Sequence, residues 1–531
     1  MSIKCIPGFN QAEILSKLRE IGADANKLKT IVSIIFTPVI MDLMNELDKQ
    51  FKSTAGNPAY PRALLLGIYL YAMVKDIHKY CDLTYACKYD NLLRIFTCDE
   101  SPSQSTLRRF LENTPVEIMK KVFVASLFFL NEDNLLKFTK LFIDGTDALI
   151  NGSKYFTMKI EELRALKIMH DWGLLHTGKP HSIKKSYNKV LKYRKFYMEQ
   201  GNDSMVKMTE LILSRISLYN RKIYKKYPLF EEVFIRHGKK YICITHPTAV
   251  MMKTKKYNND FGYNLQEVMT ENKIAITGIL LEKANDKHVL WDVLVEIESI
   301  FEMLAEMVKK YGSRRNYKEL KNKLWDSILV CDSGYFTDFN LKAADLYNVN
   351  ILIMPSKLAK QINNEIRQSQ GLEIKTGKTR KDGKSGKNDL RFGIDCVYCQ
   401  NDIRHSMSPI EEVNSRRNMY FPLEQHKINK YSYSCSACDD CPDYDNCANQ
   451  EVSYTMNSLM HDMYNKLSNK RYRDIYALRY HSSECINGYL KRIDGVLHLM
   501  GSTKEACQNE VYMANMAYNL FRRVNLKGCA Y

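Results

Sequence analysis

Two short apolar runs, each stopping at an aspartate, constrain the fold most. FTKLFI ends on Asp144, Gly145 and Thr146, and SILVCDSGYF is apolar up to Asp332. Runs of this length, rich in Ile, Val and Phe, read as strands. After Asp332 come TDFNLKAADLYN, a helix opening at Thr337, and VNILIMPS, another buried strand. Upstream, YICITHPTAVMMK reads as strand, and YNLQEVMTENKIAITGILLEK reads as one strand or, turning at its TEN, as two strands of a meander. A long amphipathic helix over about 288–311 stands between them and SILVC. Strands alternating with helices after a meander imply an α/β sheet of mixed strand directions covered by helices.

Helical patterning flanks this region on both sides. Residues 10–135 are mostly helical, with apolar residues at three and four spacing in PRALLLGIYLYAMVKD and STLRRFLENTPVEIMKKVFVASLFFL. Asp82 and Ser103 are each placed to cap a short helix. The second carries Arg108 and Arg109, and after the preceding turn it reads either as the recognition helix of a helix-turn-helix or as an ordinary packing helix with solvated Arg. At the other end, one helix is expected over about 472–500 and another over about 504–524.

Charge points towards a polyanionic partner. The 531 residues hold 78 Lys plus Arg against 60 Asp plus Glu, a formal net charge of +18, which favours nucleic acid ahead of a membrane surface. Two segments concentrate it. In 155–228, Lys184, Lys185, Lys189, Lys192, Arg194 and Lys195 interleave with Tyr187, Tyr193 and Tyr197, a pattern that suits phosphate contact and equally a solvated helix face. In 374–391, IKTGKTRKDGKSGKNDLR is a basic loop or arm. The start of the chain has no charged-then-apolar leader pattern, so a cytoplasmic, nucleoid-associated protein is expected. No GxxxxGK[ST] loop supports nucleotide hydrolysis.

In a reducing cytosol regular Cys spacing reads first as a metal site. Cys435, Cys438, Cys441 and Cys447 lie in YSCSACDDCPDYDNCA, with a further pair, Cys396 and Cys399, upstream. Four thiolates can close a tetrahedral structural Zn²⁺ site. Reduced cysteines in a small core, or an iron–sulfur cluster, are the alternatives. Cys331 and Cys485 read as small buried hydrophobes.

Four motifs in order resemble the DDE transposases of bacterial insertion sequences: FIDGT at Asp144 with Asn151 and Lys154 following, GYNLQ at 262–266, CDSGYF at Asp332, and RYHSSECINGYLKR around Glu484. The resemblance covers about 60–524 and implies a ribonuclease-H-like catalytic core. It implies that Asp144, Asp332 and Glu484 are catalytic and hold Mg²⁺ or Mn²⁺. The family's helix signature of Tyr, Arg, Glu and Lys lays onto Tyr476, Arg479, Glu484 and Lys491, the DNA-binding set together with Arg108 and Arg109. Glu484 and Lys491, seven apart, share a helix face. Arg479 stands five before Glu484 where the family has four, which on a regular helix turns it about 100° away. His246, where relatives carry an Asp-Pro pair, takes no role.

The organisation expected is a helical DNA-binding region over 1–135, then the first part of the core over 136–355 with the basic helical insertion at 155–228. A basic and Cys-rich insertion covers 356–470, and helices over 471–531 complete the core. The function implied is Mg-dependent cleavage and strand transfer at the ends of an insertion sequence, acting on terminal inverted repeats and target DNA in a complex of at least two protomers. A nuclease of the same fold that cuts without joining, and a non-catalytic DNA-binding regulator, are the alternatives.

Overall fold

The computed structural model describes residues 3–50, 58–150, 156–253, 259–312, 320, 326–371, 391–392, 397–398, 406–414, 429–435, 454–491 and 497–527. Eight helices open it: α1 (Gln11–Ile21), α2 (Asn26–Ile35), α3 (Pro38–Gln50), α4 (Arg62–Lys75), α5 (Tyr80–Tyr89), α6 (Asn91–Thr97), α7 (Gln104–Asn113) and α8 (Val116–Glu132). Asn10, Asp90 and Ser103 side chains accept from first-turn N–H groups of α1, α6 and α7, satisfying donors a helix leaves open. Asp82 does not cap: it lies inside the first turn of α5, whose N-cap is Lys79. Helix α4, apolar nearly all round, is buried over most of its length and serves as the hub.

The chain then enters β1 (Lys140–Ile150), and an excursion follows: β2 (Thr157–Lys159), α9 (Ile160–Asp171), α10 (Pro180–Glu199), α11 (Asp203–Ser214), α12 (Arg221–Tyr224), α13 (Tyr227–His237) and β3 (Tyr241–Cys243). The excursion buries its own apolar cluster, including Met158, Leu166, Tyr219, Phe230 and Ile242.

Next come β4 (Val250–Met252), β5 (Asp260–Thr270), β6 (Ala275–Leu281), α14 (Leu290–Tyr311), β7 (Ile328–Cys331), α15 (Asp338–Leu346), β8 (Asn350–Ile353) and α16 (Ser356–Ser369). The segment with the internal TEN is two strands, paired antiparallel as β5 and β6. Strand β1 lies antiparallel to β5 on one side and parallel to β7 on the other, and β7 is parallel to β8. The result is a mixed sheet flanked by helices, an α/β fold. A second antiparallel sheet holds β9 (Arg391–Phe392), β10 (Val397–Tyr398), β11 (Ser406–Asn414), β12 (Asn429–Cys435) and β13 (Tyr454–Asn457).

The chain closes with α17 (Ser458–Ser468), α18 (Lys470–Ala477), α19 (Arg479–Leu490), β14 (Leu497–Leu499) and α20 (Lys504–Lys527). The single helix expected over 472–500 is therefore three elements. It is interrupted at Leu478, between α18, which packs on β8, and α19, which packs on β1 and β5. Leu497–Leu499 then joins the main sheet, parallel to Ala148–Ile150. Helix α20 crosses β6, α4 and α8 and is fastened by amide side chains: Asn519 and Gln508 bond both the N–H and the C=O groups of β6, and Asn509 donates to Leu111 and Thr114 carbonyls. One apolar core thus runs from the N-terminal helices through the sheet to α20. Among the described residues no single helix is long and apolar enough to cross a membrane.

Candidate active site

Strand β1 outruns its neighbour. Its parallel pairing with β7 ends at Ile143 and Cys331, where β7 turns off through the short 3-10 turn Ser333–Tyr335, and β1 stays paired with β5 from Asp144 to Leu149. Asp144 therefore lies within a strand rather than at its end, at the first position where β1 has lost its β7 partner. Asp332 is the first residue beyond β7. The gap between the two strands opens at this point, and both side chains reach it.

One guanidinium joins them. Arg479 places one terminal nitrogen 3.1 Å from Asp332 Oδ1 and the other 3.7 Å from Asp144 Oδ1. The extra residue before Glu484 does not exclude Arg479: from the first turn of α19 its long side chain reaches both aspartates. Burial opposes its charge, but Asp332, Tyr476 and Asp144 together outweigh that and raise its pKa above the ordinary value. Tyr476, at the end of α18, lies beneath it with the ring centroid 5.9 Å from the guanidinium carbon. Its own hydroxyl is pushed up to about 12, mainly by burial.

Helix α19 lies over β1 and β5 and supplies a second contact. Asn487 Nδ2 donates to Asp144 Oδ2 at 3.0 Å, while its buried Oδ1 has no hydrogen-bond partner among the described residues. The backbone of Glu484 belongs to this helix, one turn before Asn487, and its side chain lies outside the described residues. Lys491 caps the helix C-terminus, donating its N–H to the Asn487 carbonyl at 3.0 Å.

A support that the sequence reading missed stands behind Asp144. Successive strand side chains point to opposite faces, so Gly145 faces away from Asp144. On that face Asp286, in the turn Asp286–His288, packs against the Gly145 backbone. Its Oδ1 accepts from Asn264 Nδ2 at 2.9 Å and Gln266 Nε2 at 2.8 Å, both on β5. Gln266 Oε1 in turn accepts from the Tyr335 hydroxyl, and the Tyr335 N–H donates to the Asp332 carbonyl at 3.0 Å. The chain Asp286–Gln266–Tyr335 thus ties the backbone beside Asp144 to the turn that presents Asp332. The GYNLQ motif, which holds Asn264 and Gln266, was its only sequence trace.

The other expected residues fall elsewhere. Arg108 and Arg109 are exposed on α7, the first paired with Glu112 at 2.7 Å and the second donating to the Ser105 carbonyl at 3.0 Å, so both are tied to their own helix. Cys435 ends β12, but its side chain and the other five cysteines of the insertion lie outside the described residues. Among the described residues no group of three or more His, Cys, Asp or Glu could hold a metal ion, and the Glu484 carboxylate is not among them. His246 is buried, with its pKa lowered to about 4 by burial and then by Lys226, so near neutral pH it is uncharged.

Residues 20–113, which contain α2 to α7, match the transposase domain family (DUF772). No curated protein matches the chain. The match supports a transposase family and, with it, DNA as the partner.

Proposed function

We propose that the chain is a DNA transposase that cleaves and rejoins phosphodiesters at the ends of an insertion sequence. One observation carries the reading. Asp144 and Asp332, far apart in sequence, converge on a single cation, the Arg479 guanidinium, beneath the helix that carries Glu484. The mixed sheet with carboxylates at the gap between two parallel strands, flanked by helices, supports a ribonuclease-H-like core.

The residues present fit divalent cations. Carboxylate oxygens are the hard donors that Mg²⁺ and Mn²⁺ take, and Asn487 Oδ1, without a hydrogen-bond partner among the described residues, adds an oxygen beside Asp144. Asp144, Asp332 and Glu484 would hold them. Bound there, the cations supply activation of the attacking oxygen and stabilisation of the leaving oxygen in an in-line displacement. Arg479 keeps its charge and supplies the counter-charge between the carboxylates, and its position suits a DNA phosphate oxygen. Lys491, two helical turns beyond Glu484, is a second phosphate contact, and Tyr476 holds the Arg479 side chain. Arg108 and Arg109 present a basic edge of the transposase domain to the inverted repeat. At least two protomers bring the two ends together.

The test uses purified full-length protein, Mg²⁺ and DNA carrying the element's own ends. Nicking followed by joining of the freed 3′ ends to a target supports the reading. Nicking without joining leaves a nuclease of the same fold, and binding without cleavage leaves a regulator.

A further inference from the structure

Helix α10, in the excursion between β1 and β5, carries a face that neither the apolar core nor the carboxylate site uses. Ser186 and Val190 are buried, and Ile183, Arg194 and Tyr197 are half-buried, so one stripe meets the rest of the excursion. At 100° per residue, Lys184, Lys185, Lys189, Lys192 and Lys195 fall on an arc of about 140° centred nearly opposite that stripe. All five are exposed. From Lys184 to Lys195 the face runs about 16 Å at 1.5 Å per residue.

A merely solvated helix face mixes its charges. This one does not. From Pro180 to Met198 the helix has no acidic residue, and the first is Glu199 at its end, 3.9 Å from Lys195. Arg194, on the inner side, is the one paired with Glu210 of α11, at 2.7 Å. Lys185 and Lys189, Lys189 and Lys192, and Lys192 and Lys195 are like charges three or four residues apart, neighbours on the helix surface whose repulsion works against the helix. A helix that concentrates this repulsion on its outward face is suited to a polyanion.

We propose that this face of α10 is a sequence-independent binding surface for the phosphate backbone of duplex DNA, separate from the carboxylate site. The partner rests on the transposase reading, and charge complementarity selects duplex DNA. A duplex presents one charge per roughly 1.7 Å of axis, so a 16 Å row of five lysines meets phosphates along its whole length.

The test is fluorescence anisotropy on the full chain with a 30-base-pair duplex of arbitrary sequence, titrated at several salt concentrations. Wild type is compared with a variant carrying Lys184→Gln, Lys185→Gln, Lys189→Gln, Lys192→Gln and Lys195→Gln. The five side chains are exposed, so the variant should melt near the wild-type temperature. The expected result is at least a tenfold loss of affinity near 0.1 M salt. The slope of log affinity against log salt should become shallower by up to about 4.5, at 0.9 per phosphate contact. Cleavage at saturating end DNA should survive. An unchanged slope, with wild type binding DNA, overturns the proposal and leaves the transposase reading standing. A loss confined to phosphatidylglycerol vesicles overturns it in favour of a membrane surface. Wild type that binds no duplex at any salt overturns both.

Discussion

Arg479 lies 3.1 Å from Asp332 and 3.7 Å from Asp144, so one side chain bridges two carboxylates that would otherwise repel each other across the gap between β1 and β7. Arg479→Ala is therefore expected to lower stability in metal-free buffer by about 1–3 kcal/mol, below the value for a fully buried pair because the site is partly solvated. Added Mg²⁺ should recover more stability in the variant than in wild type, since a bound cation replaces the lost charge. Thermal melts with and without Mg²⁺ check this. A variant that melts like wild type and ignores Mg²⁺ would mean that the two carboxylates do not share a cation.

A methyl group at Gly145 would meet Gln266 Nε2 at 2.7 Å and press closer still on Asp286 Oδ1. Gly145→Ala is expected to lower end cleavage at least tenfold and to cost about 1–3 kcal/mol of stability through overpacking. Asp286→Ala removes the closer of the two clashes and frees the Gln266 amide to shift from the other, but it leaves the Asn264 and Gln266 amides without their shared acceptor. The two changes in one chain should be less damaging than their sum, by 0.5 kcal/mol or more in a double-mutant cycle. Strict additivity would show that Asp286 does not buttress the backbone beside Asp144.

How much of this was legible in the sequence depended on range. The apolar runs gave β1, β7 and β8, because a strand pattern lies within about ten residues; the resemblance singled out Asp144 and Asp332, and the structure brings their side chains to one guanidinium. The end of the β7 pairing at Ile143 was not legible, since it depends on a strand nearly two hundred residues away, and so Asp144 was expected at a strand end. The interruption at Leu478 was not legible either: the periodicity over 470–490 is helical throughout, although α18 and α19 pack on different strands. Arg479 reaches both aspartates from the first turn of α19, a tertiary placement that its spacing from Glu484 does not signal. Leu497–Leu499 is too short to signal a strand without β1 beside it. Asp286 acts through side-chain amides on β5, a tertiary contact with no periodic signature.

Glu510 is fully enclosed at the centre of α20, where its carboxylate accepts N–H bonds from Met500 at 2.7 Å and Gly501 at 3.2 Å. Burial outweighs those bonds and pushes its pKa up to about 8 from the ordinary 4.5. The folded state therefore holds this proton more tightly than the unfolded state. Its contribution is complete below about pH 4.5 and is lost as pH rises through 8. At 1.36 kcal/mol per pH unit the effect is at most about 5 kcal/mol. Glu510→Gln should flatten the fall in melting temperature between pH 5 and pH 8.5, and an unchanged pH profile would count against the buried carboxyl.

Cys435 ends β12 at the start of the YSCSACDDCPDYDNCA segment. Purified protein is expected to carry one zinc per chain by elemental analysis, lost when Cys435, Cys438, Cys441 and Cys447 are replaced by Ser, with melting lowered by several degrees. Visible absorbance with bound iron would instead indicate a cluster, and metal-free protein of unchanged stability would indicate free thiols.

The most direct test of the carboxylate site exchanges its ligand chemistry. Mg²⁺ prefers oxygen donors, whereas Mn²⁺ tolerates a thiolate better. Asp144→Cys, Asp332→Cys and Glu484→Cys should each abolish end cleavage in Mg²⁺ and regain part of it in Mn²⁺, with DNA binding unchanged. Cleavage by these variants at the wild-type rate in Mg²⁺ would contradict the assignment of the three carboxylates as metal ligands.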